Sequence, residues 1–109
     1  MKKTDSNINF IKTEIVNRLK NLKPQKIILF GSFAYGNPNE NSDLDICVVS
    51  AEGAQKVKQK KAIRRLLSDL RIAKDILTPS EKEFEFYKKE FGSVYMDIDK
   101  NGEVLWTNS

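Results

Sequence analysis

A short, unbroken apolar run, Lys26-Ile-Ile-Leu-Phe30, constrains the fold of this chain more than any other feature. Its shortness and its β-branched residues favour a strand over a helix. An unbroken run, unlike an alternating one, is typical of a strand that is covered on both faces. A second strand is predicted over residues 43–49, where the apolar stretch Ile46 to Val49 follows two aspartates.

Two segments have the three- and four-residue apolar spacing of amphipathic helices. The first covers residues 5–22 and is ended by Pro24. The second covers residues 54–70. Its apolar stripe is Ile63, Leu66, Leu67 and Leu70.

The second half of the chain contains a third strand and a third helix. The strand is predicted over residues 72–77, and the helix opens at Pro79 and Ser80. Ser80 and Glu83 have the spacing of a capping box. We expect the buried side of this helix to be formed by Phe84, Tyr87 and Phe91.

The last part of the chain allows two interpretations. Residues 93–99 form either a strand, with a hairpin turn over 97–102, or a short helix that ends near Gly102. Both precede a strand at Val104 to Trp106, and periodicity does not separate them. Tyr95 and Trp106 either close the core or contact another subunit. The alternation of strands and helices predicts one α/β or α+β domain over residues 1–109.

Composition excludes several kinds of site. The chain of 109 residues has no histidine, and Cys47 is its single cysteine. An intramolecular disulfide, a Cys/His zinc site and a Ser–His–Asp triad are therefore excluded. We expect Cys47 to act as a small buried apolar residue. Because the N-terminus lacks an apolar signal core and no apolar run approaches about 20 residues, we expect a cytoplasmic location.

Gly31 and Ser32 end the first strand and begin a predicted helical turn that is closed by Gly36. A glycine allows a ligand to approach the backbone closely. The free N–H groups at a helix start favour an anion, and a serine hydroxyl can donate to a phosphate oxygen. A plain turn would use the same two residues, so the pair alone does not define a site.

Asp43 and Asp45 stand two residues apart at the head of the second strand. Side chains alternate along a strand, so both carboxylates project to the same side. One interpretation is an acidic strand start in water. However, the strand becomes strongly apolar directly after Asp45, which favours a site for a hard cation such as magnesium.

Asp75 interrupts the apolar pattern of the third strand. If this strand lies beside the Asp43–Asp45 strand, its carboxylate completes a set of three acids. Three acids that hold two metals about 4 Å apart beside a phosphate-binding turn suit in-line attack on a nucleoside triphosphate. An edge position or an ion pair is the alternative role for a lone aspartate in a strand.

Together these residues resemble the signature of the DNA polymerase β-like nucleotidyltransferase superfamily. The signature is Gly31-Ser32, ten residues, and then Asp43-Leu44-Asp45, and the short chain is similar to the minimal, antitoxin-type branch. Further similar pieces are Ala34, Gly36, Ser42, Asp75, the stretch Leu77-Thr-Pro-Ser-Glu81 and the segment Gly102-Glu-Val-Leu-Trp106.

The resemblance implies a mixed sheet with helices packed mainly on one side, and a helix over residues 93–99. It implies an N-terminal helix at 1–24 and a catalytic core at 25–106. It also implies that Gly31, Ser32 and Ser42 contact the nucleotide. Asp43, Asp45 and Asp75 would be the catalytic acids and the ligands of Mg²⁺, with two ions expected, and Asp75 also the base.

The resemblance also implies an activity and a partner. The expected reaction moves a nucleoside monophosphate, in particular AMP from ATP, to a hydroxyl of a protein or small molecule. The expected partner is a small helical HEPN-domain toxin. Many family members carry arginine where this chain has Phe33 or Tyr35. That difference keeps open a non-catalytic protein that masks its partner. We expect the two aromatic rings to pack beneath the turn.

The second helix carries basic side chains on a row at four-residue steps, with further ones alongside: Lys56, Lys60 and Arg64, and next to them Lys58, Lys61 and Arg65. Such a row could bind nucleic acid or an acidic partner. From sequence alone we favour a solvated helix face, because no aromatic residues alternate with the cations. Neither nucleic acid nor a membrane is therefore expected as a partner, and a second subunit is left open.

Overall fold

A four-stranded mixed sheet forms the centre of the computed structural model, which describes residues 3–36, 38–39, 41–51 and 55–108. The strands are β1 (Lys26–Phe30), β2 (Leu44–Val49), β3 (Lys74–Leu77) and β4 (Glu103–Thr107). Their order in the sheet is β3-β2-β1-β4. β1 is antiparallel to both β2 and β4, whereas β2 and β3 are parallel.

In the described part of the chain, five α-helices connect and cover the strands. They are α1 (Lys3–Leu19), α2 (Ser32–Tyr35), α3 (Lys56–Leu66), α4 (Glu81–Tyr87) and α5 (Val94–Asn101). A 3₁₀ turn, Lys20–Leu22, extends α1. Within the described residues, no helix combines the length and the apolar character that crossing a bilayer requires.

The two long helices pack on the same face of the sheet. Ile15 and Leu19 of α1 and Ile63 of α3 are fully buried there, together with Ile27 and Ile46 of the sheet. On the opposite face, Phe84 of α4 and Ile98 of α5 cover a smaller cluster. Because both faces are covered, β1 is buried from Ile27 to Phe30, as its unbroken apolar run predicts. The α+β class and the mixed sheet are confirmed.

Helix α4, which is the third helix predicted from the sequence, begins with the predicted capping box. The Ser80 hydroxyl accepts a hydrogen bond from the Glu83 backbone N–H at 3.1 Å, and the Glu83 carboxylate accepts one from the Ser80 N–H at 2.9 Å. The predicted buried side is only partly right. Phe84 is buried, but Tyr87 and Phe91 are 45% and 96% exposed, because the helix ends at Tyr87 and the chain turns before the ring of Phe91 reaches the core.

Helix α3, which is the second helix predicted from the sequence, is shorter than predicted. It spans Lys56–Leu66, and Ala54 lies outside the described residues. Leu67 and Leu70 lie in the turn that follows the helix and are buried, whereas Leu66, the last residue of the helix, is 38% exposed. The three- and four-residue spacing continues past the helix end because the turn keeps the same side toward the sheet.

The ambiguous tail is helical. Ser93 caps α5 by accepting a hydrogen bond from the Met96 N–H at 3.0 Å, and α5 continues to Asn101. The hairpin alternative is therefore wrong, and the helix implied by the family resemblance is confirmed. Trp106 packs against the larger core cluster and Tyr95 against the smaller one.

Candidate active site

The backbone turn at Gly31 lies where β1 ends and α2 begins. Gly31 has φ +73° and ψ −160°, a combination that is essentially restricted to glycine. Its carbonyl accepts hydrogen bonds from the N–H groups of Ala34 and Tyr35, both at 3.0 Å. Gly36, with φ +89°, closes the turn. The sequence thus builds a sharp strand-to-helix corner in which the first N–H groups of α2 have no acceptor inside the helix.

Asp45 packs directly against this corner. A Cβ atom added to Gly31 would lie 2.0 Å from Asp45 Oδ2 and 3.0 Å from its Cγ. The absence of a side chain at Gly31 is therefore what allows the Asp45 carboxylate to reach the backbone of the turn. The candidate phosphate-binding turn and the candidate metal-binding acids are parts of one site.

The sheet places Asp45 opposite Asp75. In the parallel pairing of β2 and β3, Asp45 is the partner of Asp75, and in the antiparallel pairing of β1 and β2 it is the partner of Phe30. Side-chain alternation puts both carboxylates on the same face as Cys47 and Leu77. This is the face covered by α4 and α5. Asp75 therefore lies beside Asp45, which sequence alone could not establish.

Electrostatics join Asp43 to this pair. The pKa of Asp45 is raised, first by its burial and then by the negative charges of Asp75 and Asp43. Asp45 is half-buried, whereas Asp43 and Asp75 are exposed. The three carboxylates are thus close enough to repel one another, with the least solvated of them at the centre.

The donor set suits a hard divalent cation in its chemistry. Carboxylate oxygens are the preferred ligands of Mg²⁺, and a bound cation would relieve the repulsion that raises the pKa of Asp45. In the described part of the chain, however, no group of three or more His, Cys, Asp or Glu side chains is placed to hold a metal ion. The structure therefore shows neighbouring acids and does not show a formed three-ligand site.

The two serines differ in their surroundings. Ser32 is half-buried in the corner, and none of the described groups forms a hydrogen bond with its hydroxyl. The Ser42 hydroxyl accepts a hydrogen bond from the Asn39 N–H at 2.9 Å, and the Ser42 N–H donates to the Asn39 carbonyl at 3.0 Å. Ser42 thus shapes the loop before Asp43, while Ser32 keeps its hydroxyl available for a ligand.

The two aromatic residues of the corner point to different places. Phe33 is buried in the larger core cluster, as expected for a ring beneath a turn. Tyr35 is 46% exposed, and its hydroxyl donates to Asp97 Oδ2 at 2.8 Å, so the expected packing is wrong for this residue. Asp97, on α5, was not singled out from the sequence, because its segment could be read as either strand or helix.

A cleft of about 570 Å³ opens next to the acids. Its floor includes Ile11, Phe33 and Ile72, and its rim includes Ser42 and Asp43. Asp45 and Asp75 do not line it. The sheet register places Asp45 and Asp75 side by side outside the cleft, and Asp43 is the acid that the cleft and the site share.

Cys47 lies two residues further along β2 and is fully buried. Burial raises the pKa of its thiol to about 12, so the thiolate is not populated at neutral pH. Its expected role as a small core residue agrees with this environment.

Two sequence comparisons point to the same chemistry. The model of the family described as "Nucleotidyltransferase domain" matches residues 12–102, which is most of the chain. A curated relative from Methanocaldococcus jannaschii, named "Putative protein adenylyltransferase MJ0141", is 32% identical over 94 residues. That match covers 86% of this chain and 89% of the relative.

Solved structures share the fold. One, described as a toxin–antitoxin with AMP-PNP, superposes with a TM-score of 0.65 at 25% identity and covers 90% of this chain and 74% of its own. The toxin–antitoxin MntA–HepT superposes with a TM-score of 0.59 at 22% identity, covering 92% and 73%. Asp45 of β2 pairs with Asp75 of β3, and Gly31 packs against Asp45. The family match over residues 12–102 includes all three residues. This chain belongs to the nucleotidyltransferase domain family, and it is a nucleotidyltransferase.

Proposed function

We propose that this chain transfers AMP from ATP to a hydroxyl group of a protein, and that its acceptor is a small helical HEPN-domain toxin. The observation that carries the proposal is the contact of Asp45 with Gly31 on one side and its pairing with Asp75 on the other. The names of the relatives support the nature of the transferred group and of the partner. The cytoplasmic location and the single catalytic domain belong to the same proposal.

The residues divide the reaction between them. The Gly31 corner and the Ser32 hydroxyl would bind the triphosphate through N–H and O–H donors. Asp43, Asp45 and Asp75 would hold Mg²⁺, which when bound neutralises phosphate charge. The acceptor oxygen forms a bond to the α-phosphorus, the bond from that phosphorus to the bridging oxygen breaks, and pyrophosphate leaves. The acceptor proton passes to a carboxylate, for which we propose Asp75.

The test is transfer of label from ATP labelled at its α-phosphate, in the presence of Mg²⁺ and the product of the neighbouring gene. We expect one labelled acceptor for each pyrophosphate released, and a loss of at least 100-fold in Asp45→Asn and Asp75→Asn. Asp99→Asn is the matched control, because Asp99 is an exposed aspartate of α5 that lies 4.0 Å from Lys88 and outside the proposed site. Transfer that survives in Asp45→Asn would contradict the proposal.

A non-catalytic masking protein is the second candidate. It is favoured by the finding that, among the described residues, no three acidic side chains are placed so that they could hold a metal ion. Calorimetric titration with ATP distinguishes the two functions. An enzyme of the proposed kind binds ATP more tightly when Mg²⁺ is added, and a masking protein shows no such dependence.

A further inference from the structure

Helix α3 carries a concentration of positive charge that has no role in the proposed transfer. Its eleven residues, KVKQKKAIRRL, contain six basic side chains and no acidic one. The whole chain has 19 basic and 15 acidic residues, so without this helix acidic side chains would outnumber basic ones. The net positive charge of the protein is thus a local property of α3.

The cations of α3 lie on the side that faces away from the sheet. Ile63 is the buried residue of the helix, and Leu67 follows it on the same side. At 3.6 residues per turn, Lys58, Lys61 and Arg65 fall on the opposite side, and all three are exposed. We call these three residues the basic face of α3.

The basic face has no counter-charge within the described part of the chain. Lys56 forms an ion pair with Glu83 at 2.5 Å, but none of the described acids pairs with a residue of the basic face. Lys61 and Arg65 are four residues apart and Lys58 and Lys61 three apart, spacings at which like charges destabilise a helix. Sequence alone favours a solvated face. The structure adds that no described acid of a neighbouring element pairs with the basic face.

The surroundings of the basic face distinguish between two kinds of partner. Stable protein interfaces need aromatic or apolar anchors. The large apolar side chains that α3 exposes are Val57 and Leu66, and the helix contains no aromatic residue. A phosphate backbone requires only cations at suitable intervals. At 1.5 Å per residue α3 is about 16 Å long, enough to face about four or five successive phosphates of one strand.

We propose that the basic face of α3 binds the phosphate backbone of a nucleic acid without reading its sequence. This interaction is separate from nucleotidyl transfer and needs neither ATP nor metal. The proposal rests on charge complementarity. Because α3 has no aromatic side chain on which a base could stack, we expect no base recognition.

The experiment measures binding of a fluorescently labelled RNA duplex by anisotropy over a range of salt concentrations, without ATP or Mg²⁺. The test variant combines Lys58→Gln, Lys61→Gln and Arg65→Gln. The matched control combines Lys20→Gln, Lys89→Gln and Lys100→Gln, which removes the same charge from exposed positions outside α3. Circular dichroism verifies that both variants are folded.

We expect the wild-type chain to bind the duplex with an affinity that falls steeply as salt rises. In the α3 variant the slope of log affinity against log salt should fall by about 3, and affinity at low salt at least tenfold. The control should retain most of the affinity. The proposal is overturned if the wild-type chain does not bind RNA at low salt, or if both variants lose affinity equally. Tighter binding of poly-L-glutamate than of RNA at equal charge would instead assign the face to acidic proteins and also overturn the proposal.

Discussion

Replacement of Gly31 by alanine is the perturbation that tests the site most directly. The residue has φ +73° and ψ −160°, and holding a non-glycine residue in this region costs about 1–3 kcal/mol. For a domain of this size, a loss of 1 kcal/mol lowers Tm by about 4 °C. We therefore expect Gly31→Ala to melt about 4–12 °C below the wild-type protein.

The effect on activity should be larger than the effect on stability. The new methyl group would lie 2.0 Å from Asp45 Oδ2, so the carboxylate must rotate away from the corner. A displacement of about 1 Å in a catalytic group can cost about 100-fold in rate. We expect Gly31→Ala to lose at least that factor in label transfer, measured at a temperature where the variant is fully folded.

Gly92→Ala is the matched control for backbone strain. Gly92 also has a positive φ, +84°, but a Cβ there would meet nothing within 4 Å, and the residue lies in the turn between α4 and α5. Its alanine variant should lose stability and keep its activity. If the two variants transferred AMP equally well, the contact between Gly31 and Asp45 would have no role in the reaction.

Three further predictions concern individual side chains. Folding raises the pKa of Asp45, so the charge of this carboxylate destabilises the native state at neutral pH. Asp45→Asn should therefore unfold at a higher urea concentration than the wild-type protein at pH 7. The difference should shrink as the pH falls to about 4, where the carboxyl group of the unfolded chain also binds its proton. Ser80→Ala should lose about 1 kcal/mol of stability in urea titration by removing the α4 cap, whereas Ser68→Ala, which affects only an exposed bond to the Arg65 carbonyl, should lose less. Cys47, buried and with a thiol pKa of about 12, should react with a thiol reagent only when the protein unfolds; rapid modification of the native protein would contradict this.

The sequence predicts elements well where a single physical signal dominates. The run at Lys26 to Phe30 gives β1 with its exact bounds, because an apolar strand of this kind has to be covered on both faces. The capping box at Ser80 gives the start of α4 for an equally local reason. Phe91 shows the limit of periodicity, since its spacing is helical but the helix ends four residues earlier.

The site depends on information that is not local. Asp75 could be named from its apolar neighbours, but its position beside Asp45 follows from the parallel pairing of β2 and β3, which no pattern within either strand encodes. The hydrogen bond between Tyr35 and Asp97 joins residues 62 positions apart, through a helix that periodicity left undecided. The Gly31 and Asp45 motifs were visible in the sequence, whereas their contact was not.

The strand order gives the three acids unequal mechanical support. Asp45 belongs to an inner strand with hydrogen-bonded neighbours on both sides, Asp75 to the four-residue strand at the rim, and Asp43 to the chain just before β2. Amide hydrogen exchange should accordingly be slowest around Asp45 and faster around Asp75. A ligand that draws the acids together should therefore slow amide hydrogen exchange mainly in β3, and leave the exchange rates in β2 almost unchanged.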